Sequence, residues 1–201
     1  MTIRAVVLDI GSVLEVIDDA LFPAPFEQRH GLAAGAVLGV PDWPADAGIG
    51  QMTEADVRAH WQGHLGLTDG QADELMGDYW RWYVGVLDRP LFDWFAGQRP
   101  ARLTGILSNS GPGAREAERC WGFEAVTDVI VYSHEVGLRK PDPAVYALTA
   151  ERLGVPAHEI VFLDDVAANV EAARAAGWHA VRHVDTATSI REVDAVIAGE
   201  A

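Results

Sequence analysis

Four groups of polar residues could carry chemistry: three close an apolar run, and one precedes a helical pattern. Asp9 closes the run at 3–8, with Gly11 two residues on. Ser108-Asn109 closes the run at 103–107, Arg139-Lys140-Pro141 opens a helical pattern, and Asp164-Asp165, with Asn169 beyond, closes the run at 160–163. A carboxylate can attack phosphorus or an alkyl carbon, forming a covalent intermediate that water later cleaves. Asp9 is placed for that. A phosphoryl group brings negative charge toward a negative nucleophile, so cations must be present. Asp9, Asp164 and Asp165 form the hard oxygen set that Mg²⁺ prefers, where the ion would act as Lewis acid and template. The Ser108 hydroxyl and the Asn109 amide are donors for the transferring oxygens.

Composition singles out Lys140. The chain has fourteen arginines and one lysine, and that lysine falls within the third polar group. A compact ammonium can reach both a phosphate oxygen and the nucleophile's carboxylate. Each residue also fits a structural part. Asp9 and Ser108 suit turns, and Asp164-Asp165 suits a cap for the helix starting near Ala167. Only the recurrence of polar groups at successive run ends favours a shared site.

The elements that must position these groups follow from the apolar pattern. The runs at 3–8, 103–107, 129–132, 160–163 and 179–184 are short and nearly continuous, as in strands buried on both faces of a parallel sheet. Helical patterns lie between and after them at 113–121, 143–153, 167–176 and 189–198. Strand alternating with helix predicts an α/β fold, an open doubly wound parallel sheet of Rossmann-like form. Ligands in such sheets bind beyond the carboxyl ends of the strands, where the polar groups collect.

Residues 15–95 differ. They show no clear strand and several helical stretches, with Thr53 before Glu54 and Asp56 and with Thr68 three residues before Gln71, both N-cap signals. Five of the seven tryptophans (Trp43, Trp61, Trp80, Trp82, Trp94) fall here. The pattern predicts a core domain from 1–14 and 96–201, and an α-helical cap from 15–95 with hinges near Glu15 and at 97–100. Trp80, Trp82 and Tyr83 are expected to fill the cap interior, and Cys120 to be buried and inert.

Composition excludes other classes. The 201 residues carry 15 Lys plus Arg against 30 Asp plus Glu, a formal net charge of −15, and no basic stretch that nucleic acid would need. No apolar run reaches the ~20 residues that span a bilayer, and the first residues do not read as a signal peptide. A lone cysteine cannot form an intrachain disulfide and suits a reducing compartment, so a cytoplasmic protein is expected.

In order and context, the four groups resemble the motifs of the haloacid dehalogenase-like (HAD) hydrolase superfamily. Gly-Leu-Arg-Lys-Pro-Asp-Pro at 137–143 and Val-Phe-Leu-Asp-Asp-Val-Ala-Ala-Asn at 161–169 are closest to its helical-cap phosphatases. The resemblance implies a Mg²⁺-dependent phosphohydrolase acting on a small phosphorylated metabolite, of which a sugar phosphate is one example. An aspartyl-phosphate would form on Asp9. Ser108, Asn109 and Lys140 would hold the phosphate. Asp9, the Gly11 carbonyl, Asp164 and Asp165 would ligate the metal, and Asn169 would orient the last loop.

One position departs from the pattern. Most phosphatases of the superfamily carry a second aspartate two residues after the nucleophile, which protonates the leaving alkoxide, and here that residue is Gly11. Two other readings follow: a 2-haloacid dehalogenase using Asp9 without metal, and a phosphate-binding regulatory protein that has lost turnover. Glu15 and Asp18 are the candidates to replace the acid.

Overall fold

The computed structural model describes residues 2–40 and 47–200, so Trp43 lies outside the described residues. In chain order the elements begin with β1 (Ala5–Leu8), β2 (Glu15–Val16), α1 (Ala24–His30), α2 (Glu54–Leu65) and α3 (Asp69–Val84). Next come β3 (Val86–Leu87), α4 (Arg89–Ala96), β4 (Leu103–Ser108), α5 (Ala114–Glu118), α6 (Phe123–Val126) and β5 (Val129–Tyr132). The last are α7 (Ser133–Val136), α8 (Pro143–Leu153), β6 (Ile160–Asp164), α9 (Ala167–Ala175), β7 (His179–Arg182) and α10 (Thr186–Ala198).

Five strands form a parallel sheet in the order β5-β4-β1-β6-β7. Successive side chains of β1 point to opposite faces. Val6 and Leu8 pack with Ile106, Leu163 and Val193 on one side, and Ala5 and Val7 with Leu107, Phe162 and Tyr146 on the other. Burial on both faces is why these runs carry no polar alternation. Leu8 is paired with Ile106 of β4 and with Leu163 of β6, so the residues following each leave the sheet side by side. β1 lies between a strand reached on one side and a strand reached on the other, the switch point where such sheets open a crevice.

The segment between β1 and β4 is mainly helical. Both N-cap signals close into capping boxes, Thr53 with Asp56 at α2 and Thr68 with Gln71 at α3. Helices α1 to α3 bury their own apolar cluster, including Phe26, Trp61 and Leu75. Two features differ from the sequence expectation. A two-residue antiparallel pair, β2 with β3, joins the segment's ends, with Val16 opposite Val86. Gly85 there has φ +56°, and a Cβ would lie 2.4 Å from the Val16 carbonyl oxygen, so the two connections run in close contact. Helix α4, read with the insert from sequence, buries Leu91, Phe92 and Phe95 in the cluster that contains Val6 and Leu8. Cys120 is a further correction: the helix expected over 113–121 tightens to a 3₁₀ turn at Arg119–Trp121, and the thiol-bearing residue is exposed there. Among the described residues, no helix is long and apolar enough to cross a membrane.

Candidate active site

The sheet register brings the acids together. The Asp9 N–H donates to the Leu163 carbonyl at 2.9 Å, locking the end of β1 to the end of β6. One carboxylate oxygen from each of Asp9, Asp164 and Asp165 lies within 4.8 Å of the others. Lys140 Nζ bridges two of them, 2.8 Å from Asp9 Oδ2 and 2.7 Å from Asp164 Oδ2. The ammonium is buried and lies 5.5 Å from the centre of the Phe162 ring, a cation–π distance.

Other residues hold this set in place. Asn109 grips the backbone of Lys140 from both sides: its Oδ1 accepts from the Lys140 N–H at 2.8 Å, and its Nδ2 donates to the Lys140 carbonyl at 2.9 Å. Its side-chain amide, expected to serve transferring oxygens, is therefore engaged in positioning the lysine. Asp164 accepts from the Val166 N–H at 2.8 Å and from Asn169 Nδ2 at 3.0 and 3.1 Å, so Asn169 orients this loop. Asp164 is wholly enclosed, whereas Asp165 is half-buried and lines a cavity of about 290 Å³ together with Asp9, Gly11, Asn109 and Lys140. Ser108 is buried at the end of β4, two residues past the partner of Leu8.

Electrostatics show what this pocket lacks. Burial, and secondarily the charge of Asp164, push Asp9 up to about 7 against the pull of Lys140. Burial and Asp164 also raise Asp165. Three acids facing one ammonium in a poorly solvated pocket are short of positive charge. The donors are all oxygens, and each acid would gain from a divalent cation. The residues therefore fit Mg²⁺, with Asp9 and Asp165 on the cavity wall to receive it.

Neither expected replacement for the missing acid faces the cavity. Asp18 is exposed and caps the 3₁₀ turn at Asp19–Leu21, accepting from the Ala20 N–H at 3.0 Å. Glu15 is enclosed away from solvent, with Oε1 accepting from Trp121 Nε1 at 3.0 Å and Oε2 without a hydrogen-bond partner. Burial, then the nearby Glu118 charge, push Glu15 up to about 10. It is protonated when folded at neutral pH but ionised when unfolded above its ordinary 4.5. Its contribution to stability is full below that value and is lost as pH rises toward 10, by up to about 1.4 kcal/mol per pH unit. Glu15→Gln is therefore expected to flatten the fall of melting temperature between pH 5 and 9. An unchanged slope would show that this carboxyl does not titrate in the folded protein.

The sequence reading missed the aromatic wall. Trp82 and Tyr83 line the cavity of Asp9, and Trp80 and Tyr83 line an adjoining one, so they do not simply fill the insert's interior. The only available signal was their clustering on one helix, which a packed core produces equally well.

A family model described as haloacid dehalogenase-like hydrolase matches residues 3–177, and the chain belongs to that family. Phosphatase MT3486 of Mycobacterium tuberculosis is 37% identical over 120 residues, which cover 58% of this chain and 54% of that protein. The match thus spans about half the length of that relative. Among solved structures, a predicted HAD-like hydrolase from Porphyromonas gingivalis superposes with a TM-score of 0.80 at 20% identity, covering 98% of each chain. A HAD family enzyme from Bacteroides thetaiotaomicron, in complex with magnesium and inorganic phosphate, gives a TM-score of 0.73 at 19% identity. That match covers 90% of this chain and 94% of the other. Likeness at such identity concerns the fold. The chain is a hydrolase of this family.

Proposed function

We propose that the protein is a Mg²⁺-dependent phosphohydrolase acting on a small phosphorylated metabolite through an aspartyl-phosphate on Asp9. The observation that carries this reading is the convergence of Asp9, Asp164 and Asp165 around one buried ammonium. The kinship to a named phosphatase agrees with it.

Asp9 attacks phosphorus, and the leaving oxygen departs with the bonding electron pair. Lys140 neutralises charge on the phosphoryl oxygens while holding the nucleophile in line. Ser108 donates to those oxygens from the end of β4, and Asn109 keeps Lys140 in place. Water then attacks the aspartyl-phosphate, freeing Asp9 and inorganic phosphate. Asp9, Asp164, Asp165 and the Gly11 carbonyl would hold Mg²⁺, which would supply Lewis-acid stabilisation of the transferring group. Helices α1 to α3 form the cap that excludes water. Gly11 contributes no side-chain acid, so leaving groups of low pKa are favoured. A cytoplasmic location belongs to the same reading.

Chelation tests the assignment. Hydrolysis across a panel of phosphorylated metabolites is expected to fall to background with a chelator and to return with Mg²⁺. Halide release from a 2-haloacid that persists under chelation would instead identify metal-free displacement at Asp9. Stabilisation by a Mg²⁺–fluoride phosphate mimic without turnover of any ester would identify a binding protein.

A further inference from the structure

Beside the nucleophile's pocket lies a cavity of about 460 Å³ walled by both parts of the chain. Tyr83 and Asn109 line both spaces. The two cavities therefore adjoin at these residues, and the leaving group of an ester bound at Asp9 would lie next to the larger one. The insert side of that cavity is aromatic. Tyr79 and Trp80 meet edge to face with ring centres 4.9 Å apart, and Trp80 and Tyr83 do so at 5.3 Å. Met76 and Val57 complete the apolar wall.

One acidic side chain, the exposed Glu54, stands on this wall. Glu54 lines the cavity, and its Oε1 accepts from Trp80 Nε1 at 2.5 Å. The pair rests on the core loop at Gly113, where an added Cβ would lie 2.6 Å from Trp80 Cζ2 and 3.1 Å from Glu54 Oε2. Gly113 also has φ +97°, so a side chain there is doubly opposed. The indole and the carboxylate are thus held together against the core loop. Arg139, next in sequence to Lys140, also lines this cavity.

We propose that this cavity recognises the leaving group of an aryl phosphate whose ring carries a cationic or hydrogen-bond-donating substituent directed at Glu54. The proposal rests on the phosphohydrolase reading and names its substrate class. A flat ring gains offset or edge contacts with Tyr79, Trp80 and Tyr83. An ammonium placed at Glu54 gains that carboxylate and the adjacent ring faces, whereas a carboxylate placed there meets repulsion; Arg139 on the same wall acts in the opposite sense, so the preference belongs to the Glu54 end of the cavity. The missing acid at Gly11 points to the same class independently. When Asp9 attacks, the phosphorus–oxygen bond breaks with its electrons on the aryl oxygen. A phenol has a pKa of about 10, so the phenolate departs unprotonated and takes its proton from water.

The test compares kcat/KM, with Mg²⁺ present, for 4-(aminomethyl)phenyl phosphate, phenyl phosphate, 4-carboxyphenyl phosphate and a hexose 6-phosphate. The aminomethyl ester is expected to exceed the carboxy ester by at least about tenfold. Glu54→Gln, which can still accept from Trp80, is expected to bring the two within about threefold. A second readout needs no turnover: 4-(aminomethyl)phenol is expected to quench tryptophan fluorescence, with affinity weakened in both Glu54→Gln and Trp80→Leu. Hydrolysis that ignores the ring substituent, together with no binding of the phenol, overturns the cavity assignment and leaves the Asp9 chemistry intact. Phenol binding with no ester hydrolysed supports the cavity assignment and overturns the phosphohydrolase reading. Preference for the hexose ester over every aryl ester overturns the proposal outright.

Discussion

Asp9→Asn is expected to lower turnover of every phosphate ester by at least about 10⁴-fold, because an amide oxygen cannot replace the attacking carboxylate. The same change is expected to leave the fold as stable or more so. Burial pushes Asp9 up to about 7 from its ordinary 3.8, so ionising it in the folded protein is unfavourable. With the folded value raised, the carboxyl's contribution to stability is full below about 4 and lost as pH rises to about 7. At pH 8 the neutral amide escapes that loss, and Lys140 keeps Asp164 as partner at 2.7 Å. Kinetics with an aryl phosphate, paired with melting curves at pH 5 and 8, check both halves. Wild-type enzyme quenched in acid during turnover is expected to carry phosphate on Asp9, and the variant none. Retained turnover in a folded variant would remove the nucleophile from Asp9 and with it the proposed mechanism.

The sheet and the strand-end acids were legible in the sequence for one physical reason. A strand buried on both faces has no room for polar residues, so the first polar group after such a run marks where the chain leaves the core. Asp9 and Asp164 obey this, and the register of Leu8 with Leu163 places them together. What was not legible depended on tertiary contacts. Two-residue strands such as Glu15–Val16 have no periodicity to detect. The apolar face of α4 indicates burial without saying whether the sheet or the insert covers it. Asn109 has the right donor for a phosphate, yet the nearby Lys140 backbone captures its side chain. Trp80 and Tyr83 become cavity wall because the insert seats on Gly113, a contact that no local pattern encodes.

Gly11→Asp is the converse experiment, and it is expected to raise turnover of alkyl phosphates by about 10²-fold, within the 10²–10⁴ typical of a positioned general acid. The backbone permits it. Gly11 is not among the residues with positive φ, and a Cβ there would meet only Ile17 Cδ1, at an ordinary 3.6 Å. Gly11 lines the cavity with Asp9, so the new carboxyl has a path to the leaving oxygen. Crowding by Asp9 and Asp165 opposes ionisation of a further acid there, which keeps its proton available near neutral pH. Alkyl esters need that proton and aryl esters do not, so the gain is expected to shrink toward zero as the leaving group becomes more acidic. A plot of log kcat/KM against leaving-group pKa is therefore expected to be steep in the wild type and flatter in Gly11→Asp, with a new loss of rate on the alkaline side. A wild-type plot that is already flat would mean that another group donates the proton, and Tyr83, a phenol that lines the cavity with Asp9, would then be the residue to replace.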